Sequence, residues 1–236
     1  MVDEVVEPEK GMRAGAQVVA AVVLVGGVAG LIWVLAGALP QGAAEDGRPA
    51  TCSTSTTEPP PPELRVPGVV SGDRLCTALN RADLPSLLGT PQEHTETADG
   101  HDFAFEPAAG SKIAIPEATV TLDTYSVKIT ATYDGLPVEG SEDLLGGGAE
   151  SRTFLGHPAV LYSNRTIAFK VGLGGGDAET GPGGIARSLL VAPDVKDGGG
   201  SYEIAVWRQD DVLPDDAALL RVAEKVLPTL PGWTHA

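Results

Sequence analysis

The sequence has few basic residues. Among its 236 residues, 16 are Lys or Arg and 32 are Asp or Glu, which gives a formal net charge of −16 at pH 7. Because nucleic-acid phosphates are bound mainly by Lys and Arg, this charge argues against a nucleic-acid partner. It argues equally against docking on anionic lipid headgroups. The remaining candidate partners are proteins and small ligands.

Aromatic residues and cysteines are scarce as well. Aromatic side chains make up 5% of the chain, and two cysteines are present. Glycine and proline are abundant, with 30 and 19 residues, which is typical of long loops or a linker. The hydrophobic content of 42% nevertheless provides enough apolar material for one ordinary domain.

Motifs for cofactor binding and catalysis are missing. The stretch 171–186, VGLGGGDAETGPGGIA, has the glycine density of a phosphate-binding loop, but Asp177 occupies the third glycine position of a dinucleotide fingerprint. Pro182 stands where a Walker loop has its lysine. The chain also has no G-x-S-x-G, H-E-x-x-H or EF-hand pattern. We therefore predict no cofactor and no catalytic residues, and we interpret 171–186 as an exposed connection between strands.

A long uncharged segment lies near the N-terminus. No charged residue occurs from Ala14 to Ala44, and the run supplies the roughly 20 apolar positions that a membrane-spanning helix needs. We predict a single transmembrane helix at 14–39, after a short cytoplasmic tail at 1–13. The stretch 36–38, Ala-Gly-Ala, resembles a signal-peptide cleavage site, but the acidic leader and the length of the run favour an uncleaved anchor. The chain is then a single-pass protein of the cell membrane with its N-terminus in the cytoplasm and its C-terminal domain outside.

A polar segment at 40–67 follows the apolar run. It is rich in Pro, Thr and Ser and has hardly any large apolar residues, which is typical of a disordered linker. Cys52 lies in this linker and Cys76 lies shortly after it, both on the predicted oxidising side of the membrane. We predict a disulfide between Cys52 and Cys76. Two free thiols, or pairing with another chain, are the alternatives.

The remaining segment, 68–236, is long enough to bury a stable single core. Its apolar spacing predicts two short helices within 71–89, the second starting at Asp83 and ending at Gly89. A final helix is predicted within 214–231 and ends at Pro228. The segments between them alternate in polarity and follow one another without helical crossovers. We therefore predict an extracytoplasmic α+β domain, an antiparallel sheet with packed helices.

The strand patterns contain two irregular points. Within 118–133 the alternation changes phase at 123–124, which predicts a bulge or bend in one long strand. Within 157–172 the residues at 164–165, Asn-Arg, predict a tight hairpin between two strands. A further pair of strands is predicted at 185–192 and 202–209.

Residues of the types that bind metals are concentrated at 93–106, EHTETADGHDFAFE. The candidate ligands are His94, Glu96, Asp99, His101 and Asp102. Histidines and carboxylates bind divalent metals, but the spacing fits neither H-E-x-x-H nor an EF-hand, and a flexible loop is poorly preorganised. We interpret the segment as a solvated loop between helix and sheet, with a metal site as the alternative.

Several stretches resemble a family of actinobacterial membrane-anchored envelope proteins defined by a domain of unknown function. They are LCTALNRADLPSLLGTPQEH, LGHPAVLYS, ETGPGGIARSLLVA, KDGGGSYEIAVWRQD and PDDAALLRVAEKVLPTLPGW. More distantly, the early Cys-containing helix, the middle sheet and the final helix are similar to actinobacterial envelope lipoproteins with a PsbP/Mog1-like fold. The resemblance implies an envelope location and a sheet-and-helix fold, and it implies no catalytic residue.

Three functions are consistent with this organisation. We expect an extracytoplasmic binding or interaction domain of the cell envelope, which recognises an envelope protein or a small ligand, because the sequence has an anchor, a spacer and no catalytic motif. One alternative is an envelope hydrolase or metal-dependent enzyme that uses the segment from His94 to Asp102. The other is a passive structural component of the envelope.

Overall fold

The computed structural model describes the following residues: 49–54, 69–105, 113–146, 148–170, 179–210 and 212–234. The predicted tail at 1–13, the predicted transmembrane helix at 14–39 and most of the predicted linker at 40–67 lie outside them. In the part that is described, no helix is both long enough and apolar enough to cross a membrane.

The described chain is built on one large sheet. Its eight strands are β1 (Ser53–Thr54), β2 (Thr97–Phe105), β3 (Ile113–Thr121), β4 (Tyr125–Thr132), β5 (Glu150–Phe154), β6 (His157–Lys170), β7 (Glu179–Val191) and β8 (Ser201–Arg208). Their order across the sheet is β1-β2-β3-β4-β8-β7-β6-β5. Seven strands run antiparallel to their neighbours, and the two-residue β1 adds to β2 in parallel.

The helices are short. They are α1 (Gly72–Leu79), α2 (Leu84–Leu88), α3 (Glu142–Leu145) and α4 (Asp216–Val226), which continues into a 3₁₀ turn at Leu227–Thr229. Helices α1, α2 and α4 confirm the predicted helices. Their ends follow local chemistry: the carboxylate of Asp215 accepts a hydrogen bond from the N–H of Ala217 at the start of α4, and Gly89 ends α2 with a φ of 87°.

The predicted fold class was wrong. An α+β domain of PsbP/Mog1-like type after a transmembrane helix was expected, whereas the described residues form mainly one antiparallel sheet with few helices. The difference arises in segments that the sequence pattern assigns to loops. The segment expected to be a solvated loop forms β2, and β6 and β7 extend until Lys170 pairs with Glu179. These strands carry many polar residues and glycines, so their alternation in hydrophobicity is weak although their backbones are paired.

Both predictions at irregular points were wrong, in opposite directions. The phase change at 123–124 is the turn of a hairpin, because Thr121 pairs with Ser126 across β3 and β4. The expected hairpin at 164–165 is instead a bulge inside the continuous strand β6, between Arg165 and Ile167. A change of phase looks the same in a sequence whether the chain bulges or reverses, and only the pairing partner decides between them. The predicted pair at 185–192 and 202–209 is confirmed as β7 and β8.

One side of the sheet, the helix face, carries the main core. Helix α1 packs there against β2, β3 and β4, helix α4 packs against β7 and β8, and α2 packs against α4. The fully buried side chains at its centre are Leu75, Leu79, Val127, Ile129, Leu161, Leu189, Ile204, Leu219, Val222 and Val226. The predicted apolar stripe of the final helix therefore faces the sheet, and burial of this area is the main driving force for the fold.

The other side of the sheet, the polar face, has a different composition. At its β6 and β7 end, Val160, Tyr162 and Leu190 cluster with Val138 and Leu145 from the β4–β5 connection. Asp197 fixes that connection, since its carboxylate accepts hydrogen bonds from two N–H groups, at residues 138 and 139, over 2.9 and 2.8 Å. Across β2, β3, β4 and β8 the same face carries mainly polar residues.

The first described segment, 49–54, is tied to this domain. Cys52 and Cys76 form a disulfide that joins the segment to α1. The N–H of Ala50 donates to the carbonyl of Thr95 at 2.8 Å, and β1 pairs with β2. Part of the predicted linker is therefore an integral part of the domain.

Candidate functional site

The five predicted metal-binding candidates are not brought together. His94 and Glu96 are exposed in the loop before β2, whereas Asp99, His101 and Asp102 lie on β2 itself. Because successive residues of a strand point to opposite faces, Asp99 and His101 share the polar face and Asp102 lies on the helix face.

The two aspartates have structural partners. The hydroxyl of Ser53 donates to Asp99 at 2.5 Å, and the N–H of Gly72 donates to Asp102 at 2.7 Å. Within the described residues, no group of three or more His, Cys, Asp or Glu side chains is arranged to hold a metal ion. The described residues therefore contain no set of ligands for the alternative of a metal site.

A different set of residues comes together on the polar face. We call it the Glu117 cluster, and its members are Glu117 on β3, Lys128 on β4, Glu203 on β8, Ser188 on β7 and Tyr162 on β6. The register places Glu117 and Glu203 on either side of Thr130 and places Ser188 directly opposite Tyr162. Lys128 and Ser188 both pair with Ala205, so each lies diagonally from Glu203. His101 lies directly opposite Glu117 on β2, at the margin of the cluster.

Glu117 is the most unusual member. Its side chain is 1% exposed, yet neither carboxylate oxygen accepts a hydrogen bond. The Nζ of Lys128 lies 3.6 Å from one of the two oxygens, close enough for an ion pair but not for a good hydrogen bond. Burial raises the pKa of the Glu117 carboxyl, the charge of Lys128 opposes the increase, and the nearby Glu203 adds to it.

Tyr162 and Ser188 provide two further polar atoms without partners. Both residues are fully buried or nearly so, and neither the Tyr162 Oη nor the Ser188 Oγ makes a hydrogen bond of good geometry. The two residues are directly paired across β6 and β7. Burial raises the pKa of the Tyr162 phenol well above its usual value, and Glu203 adds to the increase. The phenol is therefore a hydroxyl group at physiological pH.

His101 at the margin responds to the same environment. Partial burial lowers the pKa of the His101 ring, and the carboxylates of Asp99 and Asp102 oppose that decrease. The side chains of His101, Lys128 and Glu203 are all partly exposed, whereas Glu117, Ser188 and Tyr162 are buried. The cluster therefore has an open margin and a closed interior.

Unpartnered buried polar atoms are rare in folded proteins. Each costs on the order of 1–3 kcal/mol when it loses its water without gaining a partner. In the Glu117 cluster four buried atoms have no hydrogen-bond partner, namely the two Glu117 oxygens, the Tyr162 Oη and the Ser188 Oγ, and one of the Glu117 oxygens is ion-paired with Lys128. Such departures from the packing rules are expected at functional or strained sites. The arrangement can accept hydrogen bonds through carboxylates and can both donate and accept them through hydroxyls.

The pH dependence of stability provides a direct check on Glu117. Because its pKa is raised in the folded state, the folded chain retains this proton more strongly than the unfolded chain does, and stability decreases as pH rises through the folded pKa. The variant Glu117→Gln keeps the shape but has no proton to lose. We expect it to match the wild type near pH 4 and to be more stable by about 1–2 kcal/mol near pH 8.

Urea unfolding across this pH range would measure the difference, with Glu224→Gln on the exposed side of α4 as the control. A Glu117→Gln variant that is less stable than the wild type at every pH would show that the Lys128 ion pair dominates, and would contradict the expectation.

Sequence reasoning did not identify the Glu117 cluster. Each charged member lies between apolar neighbours, as in PEAT, VKIT and YEIA, which is the usual pattern of a strand with one face in water. The burial of that face comes from the tertiary structure. The only hint was the presence of three charged residues in otherwise well-formed strands.

The fold and the site together define a class of protein: a disulfide-containing domain on one large antiparallel sheet, with a buried polar cluster on one face. A family model described as a family of unknown function, DUF6215, matches residues 9–148, more than half of the chain. The chain belongs to this family. No curated protein and no solved structure matches it.

The match supports the expected domain of unknown function, and its description says nothing of actinobacterial origin, membrane anchoring or a PsbP/Mog1-like fold. The matched residues include Glu117 and Lys128, whereas Tyr162, Ser188 and Glu203 lie beyond them.

Proposed function

We propose that the domain binds a small polar ligand at the Glu117 cluster. The observation that supports this function is the set of four buried polar atoms without a hydrogen-bond partner, contributed by three different strands. A ligand with several hydrogen-bonding groups would satisfy these atoms at once and would recover the free energy lost by burying them. Ordered water alone is the competing explanation.

The proposed place of action is outside the cytoplasm. Disulfides persist mainly in oxidising compartments, and Cys52 and Cys76 are joined in the structure. We expect mass analysis of the protein, trapped with an alkylating reagent in the cells that express it, to find both cysteines protected until a reductant is added. Immediate alkylation of both would contradict this location.

A matched pair of tyrosine variants tests the binding function. Tyr162 on the polar face has an unpartnered hydroxyl, whereas the hydroxyl of Tyr202 on the helix face donates to the carbonyl of Pro231 at 2.6 Å. Tyr162→Phe should leave the free energy of unfolding unchanged or increase it, whereas Tyr202→Phe should lower it by about 1 kcal/mol. If the cluster binds a ligand, only Tyr162→Phe should also weaken binding.

Binding would be measured by NMR titration of the full-length protein with a panel of small sugars, amino sugars, polyols and amino alcohols. Saturable binding to the wild type that Tyr162→Phe weakens and Tyr202→Phe preserves is the expected result. A loss of stability in Tyr162→Phe as large as that in Tyr202→Phe would show that its hydroxyl is already satisfied. Absence of binding to any compound with a Kd below about 10 mM would contradict the proposed function.

A further inference from the structure

We propose that strand β6 pairs with β6 of a second copy of this chain, in antiparallel orientation and through residues 162–170. The two large sheets would then join across a two-fold axis, with the same strand contributed by each copy. This interaction goes beyond the proposed ligand binding and does not depend on it.

Strands β6 and β7 continue as a two-stranded arm beyond their neighbours in the sheet. Strand β5 pairs with β6 at 157–161, and β8 pairs with β7 at 186–191. Beyond these limits β6 and β7 pair with each other as far as Lys170 and Glu179. The part of β7 that extends past β8, 179–185, corresponds to about 20 Å of arm.

Solvent reaches both faces at the base of this arm. Ser163, Asn164 and Arg165 are all exposed, although successive residues of a strand point to opposite faces. The arm therefore leaves the packed part of the domain at this point. A two-stranded hairpin is at best marginally stable by itself in water, so an additional strand would stabilise an arm of this length.

The two edges of the arm differ in their capacity to accept such a strand. The β7 edge contains Pro182, which has no N–H to donate, and its register is irregular where two of its residues oppose the single Thr166. The β6 edge, 162–170, contains no proline and includes Thr166, Ile167 and Phe169, residue types that favour strands. Proline and bulges protect an edge from pairing, so β6 is the edge that accepts a strand.

The length of the free edge fits a second copy of β6. Among the described strands, β5 is the neighbour of β6 on this side, and its pairing ends at Leu161. The nine residues 162–170 that remain correspond to about 30 Å. A second copy offers the same nine residues, and full overlap in antiparallel orientation places Thr166 of both copies on the two-fold axis. The added strand would then continue in line with β5, because both run antiparallel to β6.

The charge of β6 allows two copies to approach at this strand. The net charge of −16 opposes association of the chain with itself in general. Strand β6 nevertheless contains no Asp or Glu from His157 to Lys170. In the fully overlapping register Arg165 stands opposite Ile167 of the other copy, so the two arginines do not face each other directly. Pairing through β6 therefore brings no acidic residues of the two strands together.

Sedimentation equilibrium of the full-length protein in a mild detergent would measure this association. We expect a dimer whose fraction increases with protein concentration. Thr166→Asp should raise the dissociation constant at least about tenfold, because two carboxylates then lie opposite each other on the axis. Thr166→Lys should weaken the dimer in the same way. An equimolar mixture of the two variants should associate more tightly than either alone, because it places an aspartate opposite a lysine.

Thr180→Asp is the matched control. Thr180 lies on β7 of the same arm, opposite Phe169, and not on the proposed edge. The same change of charge there should leave the dissociation constant unchanged. Urea unfolding monitored by circular dichroism should give all three variants the stability of the wild type, because the arm lies outside the main core.

Each other outcome contradicts the proposal. A wild type that stays monomeric up to about 0.5 mM would exclude a dimer of useful affinity. A dimer that neither substitution of Thr166 affects would lie at another surface. Two weakened variants whose mixture does not recover would show that the substitutions disorder the arm rather than oppose each other across an axis. A monomeric wild type that binds an acidic extended peptide, more tightly as Thr166→Lys, would assign the edge to a different protein.

Discussion

The variant Gly100→Ala is expected to lose at least about 3 kcal/mol of folding stability, and a chain of ordinary stability should then be largely unfolded. Gly100 on β2 lies under the start of α1, where a Cβ atom would come 2.3 Å from the carbonyl oxygen of Gly72. The converse is also true, since a Cβ on Gly72 would come 2.3 Å from the backbone nitrogen of His101. Both obstacles are backbone atoms, so neither can be avoided by a change of rotamer.

The helix would have to move away from the sheet to accommodate the methyl group. That movement would break the hydrogen bond from the N–H of Gly72 to Asp102 and would loosen the packing of Leu75 and Leu79 in the core. Core packing does not relax fully after such a shift, so the cost includes lost contacts as well as strain. Urea unfolding monitored by circular dichroism would measure the loss.

Gly198→Ala is the matched control for this substitution. Gly198 lies in the exposed β7–β8 turn, where an added Cβ would meet side-chain atoms of Asp194, the nearest an oxygen at 3.2 Å. We expect a loss of less than about 1 kcal/mol there. If Gly100→Ala and Gly198→Ala had equal effects, the close contact between α1 and β2 would not exist in solution.

Removal of the Cys52–Cys76 disulfide is expected to cost about 3 kcal/mol. The two cysteines are 24 residues apart in the sequence, and a cross-link of this length restricts the unfolded chain by roughly that free energy on the chain-entropy model. The segment 49–54 should then separate from the domain more easily. Its other contacts, such as the hydrogen bond from the side chain of Asn80 to the carbonyl of Ala50, are few.

The measurement is urea unfolding of the wild type with and without a reductant, beside the double variant Cys52→Ser/Cys76→Ala. The reduced wild type and the double variant should have similarly low stability, and the reductant should not affect the variant. Thiol analysis would first establish that the disulfide of the wild type is completely reduced. If the free energy of unfolding were then unchanged, the other contacts of segment 49–54 would be sufficient to hold it.

Local chemistry in the sequence was sufficient for the elements with strong signals. Helix α4 was predictable because Asp215 and Asp216 mark its start and four apolar residues share one side. Helices α1 and α2 were predictable because Gly89 and the leucine spacing define them. In each case the signal lies within one or two turns of chain, and the tertiary structure only adds the surface against which the apolar side packs.

The sheet was less predictable because pairing is not a local property. A change of phase marks the β3–β4 hairpin and the β6 bulge alike, and the sequence contains no information about which partner each strand meets. Strand β2 has aspartates, histidine and glycine where an isolated strand would have β-branched residues. It is a strand because β3 and β1 pair with it, and α1 packs directly against its glycine.

Composition and charge by themselves argue against nucleic acid as a partner of this protein. Apolar periodicity by itself sets the short helices and their buried sides. The tertiary structure decided that one sheet dominates, that Asp99, His101 and Asp102 divide between two faces, and that Glu117 meets Lys128 near Glu203, Ser188 and Tyr162. The physical reason is the range of the interactions. Helix formation depends on neighbours within one or two turns, whereas strand pairing and the burial of a polar face depend on residues as much as 86 positions apart, from Glu117 to Glu203.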